Sequence, residues 1–235
     1  MILNKIPTAR EMSSNLARLS NLLCQEELIQ PYSKNSLDCV SGQLRKLGRS
    51  QSWKYSINIS APIDFVAIST KKLGHIAPRV YINVAVKPPE TDDHSPFSKL
   101  NNTIEVIDIS NGELQSRWHV DLANLKEDGI YQAGPLFHLQ GGGHQPQGDR
   151  KKELKVSIPR WAIPPMELIL TCEMIIANFY PNKWKIIKRQ PGWLELLKVA
   201  QQLCYPQYCQ QIQACLSGKP QSVLEALWAT ELSKS

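Results

Sequence analysis

The sequence predicts an α+β protein: an N-terminal helix, a central antiparallel sheet or partial barrel, and a C-terminal helical layer. Three observations carry that prediction. The chain opens with an apolar stripe at helical spacing, from about residue 53 it alternates apolar and polar with a period of two, and after residue 160 it returns to helix-length apolar segments punctuated by proline.

The elements follow in order. "SSNLARLSNLLCQEELIQP" reads as a helix, with Ser13 or Ser14 as cap, a stripe of Leu16, Leu19, Leu22 and Leu23, and Pro31 as the stop. In "WKYSINIS", Trp53, Tyr55, Ile57 and Ile59 alternate with polar residues, the mark of a half-buried antiparallel strand. "DFVAIST", "RVYINVAV", "NTIEVIDIS" and "ELQSRWHVDL" continue as strands, and the Asn111–Gly112 pair between the last two signals a hairpin. The acidic, proline-bearing run 87–99 is a surface loop, and "ELKVSIP" (153–159) a further strand. "IPPMELILTCEMIIANFYP" reads as a central helix opened by Pro164 and Pro165 and ended before Pro181; "PGWLELLKVAQQLCYP", "PQYCQQIQACLSG" and "KPQSVLEALWATELSK" supply three more. Residues 1–160 thus form a helix plus antiparallel β region and residues 161–235 a helical layer packed on it, as one cooperative unit.

Composition narrows the class. The chain has 235 residues, 42% of them hydrophobic, and six tryptophans, enough for a substantial core. No apolar run approaches the roughly 18–20 residues of a membrane span, and "MILNKIPTAREMSSN" turns polar too early for a secretory leader. The expectation is a cytoplasmic protein with no membrane partner. Six cysteines without a CxxC pair read as reduced thiols rather than a zinc site, and no motif calls for a cofactor. The net charge of +6 is uneven: residues 1–90 carry 12 basic and 6 acidic groups, 91–150 carry 4 and 9, and 151–235 carry 11 and 6. Basic ends of this kind suit nucleic acid or an acidic partner, and equally suit solvated faces.

The most unusual run is "PLFHLQGGGHQPQGDRKKELKVSIPR", Pro135 to Arg160. Its three glycines follow one strand and precede another, whereas a phosphate cradle needs a helix N-terminus directly after them; they read as a turn. On an extended strand alternate side chains share a face, so "RWHVDL" puts Arg117, His119 and Asp121 together, and "PLFHLQ" puts Leu136, His138 and Gln140 together. If the two strands pair, His119, Asp121 and His138 approach one another. A His–Asp pair can serve as an oriented general base, a second His as an acid, and the three together as ligands for a divalent metal. The same residues also suit a satisfied sheet surface or a partner contact. A second candidate is "NKWKIIKRQPGW", where Lys183, Lys185, Lys188 and Arg189 flank Trp184; with Lys151, Lys152 and Arg160 they would make one positive surface able to grip phosphates and stack bases. Trp184 beside Ile186 and Ile187 suits packing between helices as well.

The block carrying His138–Leu139, Gly141–Gly142, Pro159–Arg160, Pro164–Pro165 and Asn178–Pro181 resembles an uncharacterised bacterial protein family of about this length, over residues 117–184. The resemblance implies a place in a bacterial defence or mobile-element system and carries no catalytic residue across. The leading expectation is therefore a cytoplasmic accessory or interaction protein that binds nucleic acid or a nucleoprotein complex through its basic surfaces. One alternative is a small hydrolase or nuclease using His119, Asp121 and His138. Another is a structural subunit docking through its C-terminal helices. The discriminating geometry is whether those three side chains converge in one concavity.

Overall fold

The computed structural model describes residues 6–71, 74–88, 95–142, 160–218 and 221–229, and of Thr70 only the backbone. The glycine-rich turn beyond Gly142, Lys151, Lys152, the expected strand 153–159 and much of the loop 87–99 lie outside them. The α+β class holds: helices at both ends enclose one face of an antiparallel sheet.

Helix α1 (Ala9–Gln25) begins earlier than Ser13 or Ser14. Thr8 caps it, its hydroxyl accepting from the Glu11 amide at 3.2 Å while the Glu11 carboxylate accepts from the Thr8 amide at 2.8 Å, a reciprocal capping box. Ser13 instead lies buried in the seam with helix α2 (Pro31–Lys46) and donates to the Ser41 carbonyl at 2.7 Å. That second helix is a departure from the expected stop at Pro31. Proline fits the first helical position as well as it ends a preceding helix, and here it starts α2, which buries Leu37, Val40 and Leu44.

Strand β1 (Trp53–Ile57) matches the alternation at 53–57. The "DFVAIST" strand divides into β2 (Ile63–Asp64) and β3 (Ile68–Thr70), both paired with the long β4 (Gly74–Val86). β5 (Phe97–Asp108) and β6 (Leu114–Leu122) form the expected hairpin, with Gly112 at φ 74° and its amide bonded to the Asp108 carbonyl at 2.7 Å. β7 (Phe137–Gly141) and β8 (Trp161–Ala162) complete the order β1-β4-β5-β6-β7-β8, every pair antiparallel.

Helix α3 (Leu168–Phe179) starts three residues beyond the Pro pair. Proline pulls the residue before it out of helical geometry, and Glu167 caps instead, accepting from the Ile169 amide at 2.8 Å and the Leu170 amide at 3.3 Å. α4 (Pro181–Ile187), α5 (Pro191–Cys204) and α6 (Pro206–Leu216) each open on proline, and α7 (Val223–Ala226) is a single turn. The basic segment around Trp184 is thus itself helical. The main core lies between the sheet and these helices: Ile57, Val80, Ile82, Val84, Leu100 and Ile104 from the strands join Leu16, Leu19, Leu37, Leu168, Ile175 and Trp193. At about 25 cal/mol per Å² of apolar surface, these side chains dominate stability.

Candidate acid–base cleft on the open face of the sheet

Alternation along the strands decides what the other face holds. In β4 the even-numbered residues from Val80 to Val86 are buried in the core, so Arg79, Tyr81, Asn83 and Ala85 point the opposite way. Antiparallel register then sets two polar rows across the sheet. One runs Tyr81, Thr103, His119, Gln140; the next runs Asn83, Asn101, Asp121, His138, Ala162. His119, Asp121 and His138 therefore share one face and line one cleft of about 500 Å³, with Ser56, Tyr81, Asn101, Thr103, Gln140 and Arg160. The convergence expected of the two strands occurs.

Each side chain is held. His119 Nδ1 lies 3.1 Å from the Thr103 hydroxyl and 3.8 Å from an Asp121 carboxylate oxygen. The other Asp121 oxygen accepts from the Asn102 amide at 3.1 Å. Burial pushes the Asp121 carboxyl up to about 7, against the downward pull of that amide and of Arg160. His138 is buried, and its Nδ1 stands 3.2 Å from the Pro135 carbonyl, which can only accept, so Nδ1 carries the proton and Nε2 is left as an acceptor. Burial draws His138 down to about 4, aided by Arg160 and His119 and opposed by the Pro135 contact, so its ring is neutral at pH 7. Among the described residues no three His, Cys, Asp or Glu side chains are grouped to hold a metal ion.

Arg160 is where sequence and structure differ most. Grouped by sequence with the lysines of 183–189, it stands in the cleft, on the face opposite the helices. Its Nε donates to Gln140 at 3.3 Å, Nη1 to the Ala133 carbonyl at 3.2 Å and Nη2 to Gln132 at 3.1 Å. Of the basic residues grouped from the sequence, Arg160 lines the cleft while Lys183, Lys185, Lys188 and Arg189 do not; Lys151 and Lys152 lie outside the described residues. Trp184 packs against the core, with the Lys188 ammonium 4.2 Å from its ring centre, while Lys185 and Arg189 are exposed. The C-terminal helices also expose Ile186, Leu194, Leu216 and Leu224.

Of the three glycines, Gly141 and Gly142 are described, and Gly143 lies outside the described residues. Gly141 closes β7, and Gly142, at φ 77°, gives its amide to the Arg117 carbonyl at 2.8 Å rather than to an anion. Beside the cleft, Arg117 and Glu105 form a buried ion pair, with Arg117 Nε donating at 2.6 Å, and the Tyr81 hydroxyl donates to the same carboxylate at 3.1 Å. Burial, with the Glu105 charge, pushes Tyr81 up to about 12, so it enters the cleft as a neutral hydroxyl. Of the lining residues, Gln140 was placed beside His138 from the sequence, whereas Thr103, Tyr81, Asn83 and Asn101 were not picked out. The polar positions in β4 and β5 were visible there; the register that sets them beside His119 was not.

The fold and cleft together define an α+β protein with helices on one face of an antiparallel sheet and a partly buried His–Asp–His–Arg constellation on the other. No family model matches the chain, and neither a curated protein nor a solved structure matches it. Among the described residues no helix is long and apolar enough to cross a membrane.

Proposed function

We propose that the protein is a small hydrolase whose reaction takes place in this cleft. The observation that carries the reading is the placement of Asp121, near 7, within one concavity with neutral His138 and cationic Arg160. A carboxyl that gains and loses its proton near neutrality suits general acid–base work. In its ionised form Asp121 takes a proton from water as the water oxygen bonds to an ester carbon or phosphorus. The bond to the leaving oxygen then breaks, and Asp121 returns the proton to that oxygen. Arg160 offsets the negative charge on the reacting centre, and His138 Nε2 accepts a hydrogen bond from the water or from a substrate hydroxyl. His119, between Thr103 and Asp121, is a positioning residue.

The test is turnover of 4-nitrophenyl acetate, 4-nitrophenyl phosphate and bis(4-nitrophenyl) phosphate by the purified chain. The rate is expected to rise with pH as Asp121 ionises through about 7 and then level off. Asp121→Asn should lower kcat by roughly 10²–10⁴-fold with the circular dichroism unchanged and the pH step gone. An equal rate in Asp121→Asn would overturn the reading.

A second reading, binding of nucleic acid or a nucleoprotein partner, is supported by α4 and the residues just after it. Lys183, Lys185, Lys188 and Arg189 lie within seven residues there, and none is ion-paired among the described residues. It predicts binding to single-stranded oligonucleotides that weakens steeply with salt and is lost when Lys183, Lys185 and Arg189 are changed to Gln. Salt-independent binding would exclude it. A role in bacterial defence or a mobile element belongs with this reading, and cytoplasmic location with both.

A further inference from the structure

A second cavity adjoins the cleft, and Arg160 stands in the wall between them. The neighbouring space, about 430 Å³, is lined by Gln132, Ala133, Gly134, Pro135 and Trp228, together with the same Gln140 and Arg160 that line the cleft. Its far side is built by the C-terminal segment, where Leu136 donates its amide to the Leu227 carbonyl and Ala229 donates to the Gly134 carbonyl, both at 2.8 Å. Gly134 adopts φ 143°, and a Cβ there would meet Arg160 Nη1 at 3.2 Å and Cδ at 3.4 Å. A side chain there would be strained at this φ and would press the guanidinium a few tenths of an ångström out of its place.

The braces on Arg160 are a side-chain amide oxygen from each of Gln140 and Gln132 and a backbone carbonyl, all neutral. A guanidinium carries five N–H donors, so these three bonds fix its orientation, leave its charge uncancelled and leave one N–H on each terminal nitrogen. No described carboxylate lies within ion-pair distance of it. Two free donors on a pre-oriented cation match two oxygens of a carboxylate or phosphate. The cavities on either side decide between them. A carboxylate ends a chain, whereas a phosphodiester carries its charge at mid-chain and continues in both directions.

We infer that the site recognises a phosphodiester, with its anionic oxygens on Arg160 and one substituent in each of the two cavities. This rests on the reading of the cleft as a reactive site and narrows its substrate class. Water attack on phosphorus, with the proton passing through Asp121, would release a phosphomonoester on one side and an alcohol on the other.

The experiment measures binding by calorimetry to the full chain carrying Asp121→Asn, which keeps the probe intact. Bis(4-nitrophenyl) phosphate, 4-nitrophenyl phosphate and inorganic phosphate are compared. The diester is expected to bind about tenfold or more tightly than inorganic phosphate, with the monoester between them. Adding Arg160→Gln should weaken the diester by about tenfold or more, and Arg160→Lys, which keeps the charge but not the fork, by less. Gly134→Ala should weaken it too; because that change can also disturb the fold, its thermal midpoint is measured alongside, and the Arg160 variants decide. Diester binding no tighter than that of phosphate, or unchanged in Arg160→Gln, overturns the inference. Diester binding that depends on Arg160 without turnover by the unsubstituted chain upholds it and overturns the hydrolase reading. Turnover of the acetate ester without diester binding does the reverse.

Discussion

On the covered face of the sheet, Val80, Ile82, Val84, Leu100 and Ile104 meet helices that exclude water; one residue along, Tyr81, Asn83, Asn101 and Thr103 meet an open cleft. The strands are the same, so backbone hydrogen bonding is common to both faces and the difference lies wholly in the side chains. Apolar burial is non-directional and tolerates imprecise neighbours, whereas the polar rows need partners at set distances. The covered face is therefore the source of stability, and the open face the place where geometry is specified. The division is not complete: Asn102 and Glu167 are buried on the helical side, joined through Thr171, which takes a bond from Asn102 and donates to the Glu167 carbonyl at 2.9 Å.

The open face is most vulnerable at its buried Arg117–Glu105 ion pair. Arg117→Met strands the Glu105 carboxylate and should cost about 3–5 kcal/mol in urea unfolding, while pairing it with Glu105→Gln should recover much of the loss. No recovery in the double variant would show that Arg117 packs rather than pairs. On the covered face Leu100→Ala, at a fully buried site, should cost about 2–5 kcal/mol by the same measurement without altering substrate preference. Glu167 sharpens the contrast through pH. Burial raises it to about 7 against the pull of the α3 amides, so the folded state holds its proton after the unfolded chain has released it. Its contribution to stability is full below about 4.5 and is lost as pH rises through about 7. Thermal midpoints should fall across that window, and Glu167→Gln should flatten the fall. The smallest effect belongs to neither face: Thr8→Ala removes a helix cap and should cost about 1 kcal/mol.

Period-two alternation made the strands and the shared face of His119 and Asp121 readable, because it is a local property of an extended chain. Helix ends were harder. The Thr8–Glu11 box stood in the sequence beside two serines of equal capping chemistry; the Ser13–Ser41 contact shows that Ser13 serves the seam of a helix pair, while exposed Ser14 donates to the Arg10 carbonyl within its own helix. Pro31 was ambiguous for the same reason that proline suits both a stop and a first turn. The cleft was half legible: His138 lies across a 14-residue connection from β6, and the expected pairing occurs. Arg160 was out of reach. Its place depends on β8 pairing with β7 and on the space at Gly134, neither of which is a property of neighbouring residues.

β4 sets the alignment of the sheet on both of its edges. Its thirteen residues pair with β5 along one edge and with β1, β2 and β3 in succession along the other. Three short segments thus take their alignment from a single strand, and none is long enough to hold an alignment of its own. Deleting one residue from the middle of β4 would turn Val84 and Val86 toward the solvent and Asn83 and Ala85 toward the helices. Core and cleft would be lost in the same stroke. The protein can vary what it places on either side of that strand, but not its length.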